Sequence, residues 1–301
     1  MVWSCLVSIL PGMAQTEKLT DYVNPFVGTD GYGNVYPGAQ IPFGGIQISP
    51  DTDSRFYDAA SGYKYNHLTL MGFSLTHLSG TGIPDLGDFL FIPGTGEMKL
   101  EPGTHEDPDQ GYRSRYSHDK EWASPNYYAV ELADYGVKAE MTSGVRSGMF
   151  RFTYPESDNA FIMIDMNHTL WQSCEWSNLR MINDSTITGY KLVKGWGPER
   201  HVYFTATFSK KLTGLRFVQD KKPVIYNTSR FRSSYEAWGK NLMACISFDT
   251  KAGEEVTVKT AISAVSTDGA RNNMKELDGL TFNELRAKGE ALWEKELGKY
   301  T

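Results

Sequence analysis

Cysteine is scarce in this chain of 301 residues: Cys5, Cys174 and Cys245 are all it has. An odd, widely spaced set excludes a disulfide framework. The lack of any Cys-x-x-Cys excludes a zinc ribbon. A bridge between Cys174 and Cys245 stays open, but two separate buried thiols are expected. Positive charge is also in deficit, with 30 Lys and Arg against 36 Asp and Glu and a net charge of -6. Neutralising phosphates needs the opposite balance, so nucleic acid is excluded as the main partner. No uncharged apolar run reaches about 18 residues, so no membrane-spanning helix is expected. Internal repeats, low-complexity linkers, Gly-x-Ser-x-Gly, His-Glu-x-x-His and a P-loop are all missing.

Enough remains for a folded core. Hydrophobic residues make up 40% and charged residues 22%, which excludes disorder as the main state. The length allows one large domain or two ordinary ones. Aromatic residues reach 13%, with 17 Tyr and 7 Trp, and flat rings suit sugars as well as cores. Residues 1–15 read as a short signal peptide: the apolar run Leu6–Leu10, then Pro11, Gly12 and Ala14 before a polar start. The basic head is missing, yet export is the expectation, to a periplasmic or extracellular site. Asn-x-Ser/Thr acceptors stand at Asn167, Asn183 and Asn227, and they matter only in a eukaryotic secretory pathway.

From about Asn126 to Ser266 short β-type runs alternate with turn signals. They are Tyr127–Leu132, Val137–Met141, Met149–Tyr154, Phe161–Met166, Ile187–Val193, His201–Phe208, Leu242–Phe248 and Val256–Val265. Strands so closely spaced, with no helices between them, predict antiparallel sheets packed as a sandwich over residues 16–266. The first 125 residues are Gly- and Pro-rich, with strands expected at Gly45–Ser49 and Phe89–Ile92 and long loops between. Residues 267–301 turn helical. A short helix is expected over Ala270–Leu277. A longer one starts at the capping box Thr281-x-x-Glu284, carries Phe282, Leu285, Leu292 and Leu297 at near-helical spacing, and stops at Gly298. Its apolar face either covers the sandwich or opens a further helical domain.

The densest chemistry lies in Gly72–Asp88, GFSLTHLSGTGIPDLGD. Asp85 and Asp88 there can accept bonds from sugar hydroxyls, bind a cation, or simply cap a Gly-Thr-Gly turn. Gly28–Gly45 offers Asp30, Tyr32, Asn34 and Tyr36 on flexible backbone, as pocket wall or structured turn. Asp51, Asp53 and Asp58 suggest calcium, but Phe56 stands where an EF-hand loop needs glycine. Trp171, Trp176 and Trp196 cluster in a region rich in Asn and Gly; at least one is expected in the core, the others free to stack on pyranose rings. Glycosidic hydrolysis needs a pair of carboxylates flanking the bond. Asp85 and Asp88 are too close in sequence to fill both roles, so the residues show binding chemistry without an evident catalytic set.

Several stretches resemble glycoside hydrolase family 92, the exo-acting α-mannosidases of bacteria. These are YVNPFVGTDGYGNVYPGAQIPFGGIQISPDT (22–52), SGYKY (61–65), GFSLTHLSGTGIPDLGDFLFIP (72–93), GYKLVKGWGPERHVYFTATFSK (189–210) and TAISAVSTDGARNNM (260–274). They run in family order across nearly all of Leu19–Thr301. The resemblance implies a mostly β fold, an amino-terminal antiparallel β-sandwich (supersandwich), then linker helices leading to an (α/α)6 barrel. It implies calcium-dependent, inverting hydrolysis of α-mannosides, with the acid, the base and the calcium ligands mainly on the barrel. The chain stops where the linker ends, so the barrel is expected to be absent and the chain inactive alone; no catalytic residue or metal ligand is carried over. By motif position, Gly62, Tyr63, His77, Gly80 and Asp85 are the expected sugar-binding residues, with Trp196 as a further one. Gly62 would offer backbone to a hydroxyl, Tyr63 would line the pocket, and His77 and Asp85 would position loops or sugar. The alternative is an independent, non-catalytic carbohydrate-binding sandwich.

Overall fold

The computed structural model describes residues 17–54, 59–225 and 235–300. Expectations for residues 1–15, Cys5, Phe56, Asp58 and Asn227 fall outside them. The loop-rich first part holds β1 (Ser49–Asp51), β2 (Thr69–Leu70), β3 (Gly72–Ser74), β4 (Leu90–Thr95) and β5 (Ser114–Arg115). The middle of the chain then runs almost strand to strand. It comprises β6 (Glu121–Ser124), β7 (Tyr127–Leu132), β8 (Val137–Ser143), β9 (Ser147–Tyr154), β10 (Ser157–Asp165), β11 (Ser173–Asn183) and β12 (Thr186–Lys194). It continues through β13 (Arg200–Phe208), β14 (Gly214–Gln219), β15 (Lys222–Pro223), β16 (Glu236–Gly239), β17 (Leu242–Thr250) and β18 (Glu254–Ser263). Helices α1 (Thr267–Met274) and α2 (Phe282–Leu297) close it.

Among the described residues a seven-stranded sheet has the order β1-β3-β4-β10-β17-β14-β15 and a nine-stranded sheet the order β16-β11-β12-β13-β18-β9-β8-β7-β6. All their pairings are antiparallel. Period-2 alternation turns one side of each strand inward. Phe73 and Phe91 from one sheet meet Phe150 and Phe204 from the other, at ring distances from 4.9 to 6.5 Å. Each such buried ring contributes about 1.5–3 kcal/mol, so this layer is the main source of stability.

Both outer faces carry covers. On the seven-stranded sheet, Leu90, Ile92, Phe161 and Met163 pack under Met98, Leu100 and Tyr112 from the loop after β4. On the nine-stranded sheet, Tyr127, Ala129 and Met149 meet Leu277, Phe282 and Leu285. The first half of α2 therefore covers the sandwich. Its capping box forms as expected, with Thr281 Oγ1 accepting from the Glu284 N–H. Gly289 lets the helix approach Asn126, whose side-chain nitrogen would lie 1.7 Å from an added Cβ. Further along, Leu292 is exposed. The Trp293 indole N–H donates to the Gln40 carbonyl at 2.7 Å, and Glu294 accepts from the N–H groups of Leu19 and Thr20.

Two expected boundaries move. The strand expected at Gly45–Ser49 is instead Ser49–Asp51, because Gly44 and Gly45 bond into neighbouring turns and Ile48 pairs with Ala39 in an isolated bridge. The helix expected over Ala270–Leu277 starts earlier, at Thr267, because the Ser266 side chain caps it. Cys174 and Cys245 are separate buried thiols, on β11 and β17. Burial pushes both thiols up, away from the reactive thiolate.

Candidate functional site

The irregular loops converge on two buried carboxylates. Asp51 ends β1 opposite Gly72 of β3. Its Oδ1 lies 2.8 Å from His77 Nε2 and its Oδ2 2.8 Å from His168 Nε2. His77 Nδ1 lies 2.8 Å from the Gln47 carbonyl, so both ring nitrogens have oxygen partners. Gly62 passes so close that an added Cβ would sit 2.0 Å from Asp51 Oδ1, and its φ of +86° also favours glycine.

Asp88 stands just before β4. It accepts from Arg200 Nη1 at 2.5 Å and Thr76 Oγ1 at 2.7 Å, with Lys191 Nζ at 3.1 Å. Lys191 also donates to the His168 carbonyl at 2.6 Å, which joins the two carboxylate clusters. Burial opposes ionisation of Asp88, yet the Lys191 and Arg200 charges hold its carboxyl well below the usual range. Burial likewise opposes ionisation of Asp51, and His77 and His168 outweigh it. Both groups are thus fixed anions that brace loops.

The exposed rim of this cluster carries what a ligand can touch. Arg200, partly open, reaches Gln172 Oε1 at 3.4 Å and lies 3.8 Å from Asp85 Oδ1. Asp85 Oδ1 also accepts from the N–H of the next residue, Leu86, at 2.6 Å. Gly195 packs against the Gln172 side chain, which brings the loop bearing Trp196 to the rim. Trp171 adopts φ +65°, a conformation that costs a bulky residue about 1–2 kcal/mol, and its indole stands in solvent. The loop Asn167–Gln172 also walls a cleft of about 780 Å3 on the outer side of the seven-stranded sheet, with Asp165 and Asn241 among its polar groups.

The structure brings Gly62, His77 and Asp85 to this cluster and its rim. Gly80 sits at the loop tip, where its N–H donates to the Asn34 carbonyl at 2.8 Å. The Gly62 backbone is engaged within the chain: its carbonyl accepts from Thr52 and Asp53, and its N–H donates to Ala59. Tyr63, expected on a pocket wall, is 1% exposed. Its hydroxyl donates to the buried Glu121 at 2.9 Å, as does that of Tyr128 at 2.5 Å. The expectation that one of three tryptophans is core also fails: Trp171, Trp176 and Trp196 are 63%, 46% and 75% exposed. Their positions, on end loops and an outward strand face, leave no layer to cover them.

His168, Lys191 and Arg200 escape the sequence reading, although a signal for one existed. Ile187, Gly189, Lys191 and Val193 are the inward positions of β12, and a lysine in that series demands a buried anion. As for the calcium that the resemblance implies, no group of three or more His, Cys, Asp or Glu among the described residues can hold a metal. Asp51 and Asp88 already have cationic or imidazole partners, so these residues do not fit it.

Two antiparallel sheets packed face to face, with irregular loops gathered at one end, define the class as a β-sandwich. The chain belongs to the family described as the glycosyl hydrolase family 92 N-terminal domain, whose profile matches residues 22–263. The gh92 family glycosyl hydrolase ccman5 superposes with a TM-score of 0.79 at 26% identity, over 93% of this chain and 37% of that one. A family GH92 inverting mannosidase of Bacteroides thetaiotaomicron superposes at 0.77 with 24% identity, over 95% of this chain and 37% of that one; it supports the fold. An uncharacterized secreted glycosidase of Arthroderma benhamiae is 26% identical over 304 residues, covering 92% of this chain and 38% of that protein. The chain thus spans a little over a third of the length of these relatives. No helix among the described residues is long and apolar enough to cross a membrane.

Proposed function

We infer that this domain forms the sugar-facing wall of an exported α-mannosidase, holding a terminal α-mannoside for inverting hydrolysis. The observation that carries this reading is the rim. Arg200, Asp85 and Gln172 gather there, braced by the ion pairs of fully buried Asp88; exposed Trp171 is the chain neighbour of Gln172, and exposed Trp196 that of Gly195, which packs on the Gln172 side chain. Carboxylate and guanidinium groups bond sugar hydroxyls, and an indole covers the apolar side of a pyranose. Gly62 and His77 act as positioning residues, holding Asp51 and the loop that ends in Gly80. Tyr63 stiffens the wall from within through Glu121.

Asp51 and Asp88, held ionised, are unsuited to give a proton near neutrality. The proposal therefore assigns the acid and base of hydrolysis to residues outside the sandwich, on the barrel that the resemblance implies, and calcium with them. That barrel is the proposed partner of this domain. Export is supported by the secreted relative.

Hydrolysis of 4-nitrophenyl α-mannoside tests the reading. The purified 301-residue chain is expected to release nitrophenol negligibly, with or without calcium. In the longer protein, Asp85→Ala and Trp196→Ala are expected to raise KM about tenfold each, a loss of roughly 1.4 kcal/mol of binding. Robust calcium-dependent turnover by the chain alone, or an unchanged KM in both variants, overturns it. Mannose binding by the chain with no effect on turnover in the longer protein would favour a non-catalytic binding module.

A further inference from the structure

The nine-stranded sheet carries a second arrangement, on the side away from the core. Alternation sends Leu179, Ile187, Phe204 and Ala237 into the core, and so turns Asn178, Tyr190, Tyr203 and Trp238 outward. The pairings place these four in one row. Trp238 of β16 is opposite Asn178 of β11, Asn178 is opposite Tyr190 of β12, and Tyr190 is opposite Tyr203 of β13. Three strand spacings make the row about 14 Å long, the reach of several sugar units. The Tyr190 and Tyr203 rings lie 4.8 Å apart at 33°, so they form one tilted surface rather than two isolated side chains. Trp238, 54% exposed, stands at the far end.

The row has walls. It floors a cleft of about 620 Å3, closed on one side by Thr267, Asp268 and Arg271 at the start of α1. Asn178 is tied to β16 through Glu236 Oε1 and the Ala237 carbonyl, both at 3.1 Å, which fixes the spacing between Trp238 and Tyr190. Tyr190 is steadied by His201, whose Nδ1 lies 3.0 Å from its hydroxyl. The Arg180 side chain, exposed in the same cleft, makes no hydrogen bond or ion pair among the described residues. Two arginines and two carboxylates balance the charge of the lining.

We propose that this row is an oligosaccharide-binding platform, taking a neutral chain of several sugar units across β16, β11, β12 and β13. Aromatic rings in line offer stacking faces for successive pyranoses. Arg180 and Arg271 supply donors at the edges, where hydroxyls emerge. A charged polymer is disfavoured by the balanced lining. A proline-rich peptide also uses aromatic ridges, but the polar walls match hydroxyls better than prolyl rings. The platform does not rest on the function proposed for the Asp85–Arg200 rim and is separable from it.

Titration calorimetry of the full chain with linear manno-oligosaccharides, from di- to hexasaccharide, tests the proposal, with a polyproline peptide as the competing probe. Affinity is expected to rise with length and level off once the row is covered. Trp238→Ala and Tyr190→Ala are each expected to weaken hexasaccharide binding about tenfold, with melting temperature nearly unchanged in Trp238→Ala, whose side chain is exposed. Tyr203→Phe keeps the ring and is expected to bind normally. Asp85→Ala is expected to leave the length dependence intact, so failure at the rim and failure here give different results. Binding that ignores length, that survives Trp238→Ala, or that goes to the peptide instead overturns the proposal.

Discussion

The layer between the sheets and the Asp51 and Asp88 carboxylates at the loop-built end are equally buried, but they are held by opposite means. Between the sheets, Phe73, Phe91, Phe150 and Phe204 contribute through contact area, which is spread over many neighbours and has no direction. At the end, Asp51 and Asp88 sit among His77, His168, Lys191 and Arg200, and each bond has a direction and a specific partner. Area degrades gradually when a methyl group is lost. A buried ion cluster does not, because removing one member leaves a charge without its counterpart. The strands thus tolerate variation, while the loops are specified atom by atom.

That contrast is sharpest where shape is kept and charge is changed. Asp88→Asn is nearly isosteric, yet it leaves Lys191 buried beside a neutral amide and is expected to cost about 3–5 kcal/mol in urea unfolding. A loss below about 1 kcal/mol would mean that the end is held by packing after all. Acid gives the same comparison without mutation. Asp51 and Asp88 have carboxyls held below the ordinary range, so their stabilisation is complete above the unfolded value of about 3.9 and is lost as pH falls through their folded values. Unfolding free energy is therefore expected to decline below about pH 4, and less steeply in Asp88→Asn; parallel slopes would remove Asp88 from the account.

Gly62→Ala comes next. It combines a left-handed backbone with a Cβ that must displace Asp51, at a cost of about 2–4 kcal/mol. The His77 and His168 ring resonances are expected to move together in its NMR spectrum, and unmoved rings would contradict the close approach. The smallest effect belongs to the strand layer: Ile162→Val, fully buried between the sheets, is expected to cost only about 0.5–1.5 kcal/mol. A larger loss than that of Asp88→Asn would reverse the comparison.

The same division explains what could be read in advance. Tyr127–Leu132 appears in the structure with the bounds that alternation gives it, and the Thr281 capping box starts α2 where expected, because local chemistry suffices for both. β11 carries no clear alternation in the sequence, because outward Asn178 and Arg180 and a register shift between Cys174 and Trp176 break its apolar period. The motif stretches pointed to Gly62, His77 and Asp85, which do meet at one end. Their counterparts Lys191 and Arg200 lie more than 100 residues further on, and no local pattern links residues so far apart. Tyr63 differs for a related reason: a tyrosine beside a glycine turn reads as open, but its hydroxyl donates inward to Glu121, on β6.

Lys191 gives the loop end one further property. Its single ammonium binds both the Asp88 carboxylate and the His168 carbonyl, so the segments around residues 76–88 and 167–172 share one latch. If either segment swings out, the buried ammonium loses one of its partners. Amide protons in both segments should therefore exchange with solvent in a single cooperative opening, as one foldon released by one lysine.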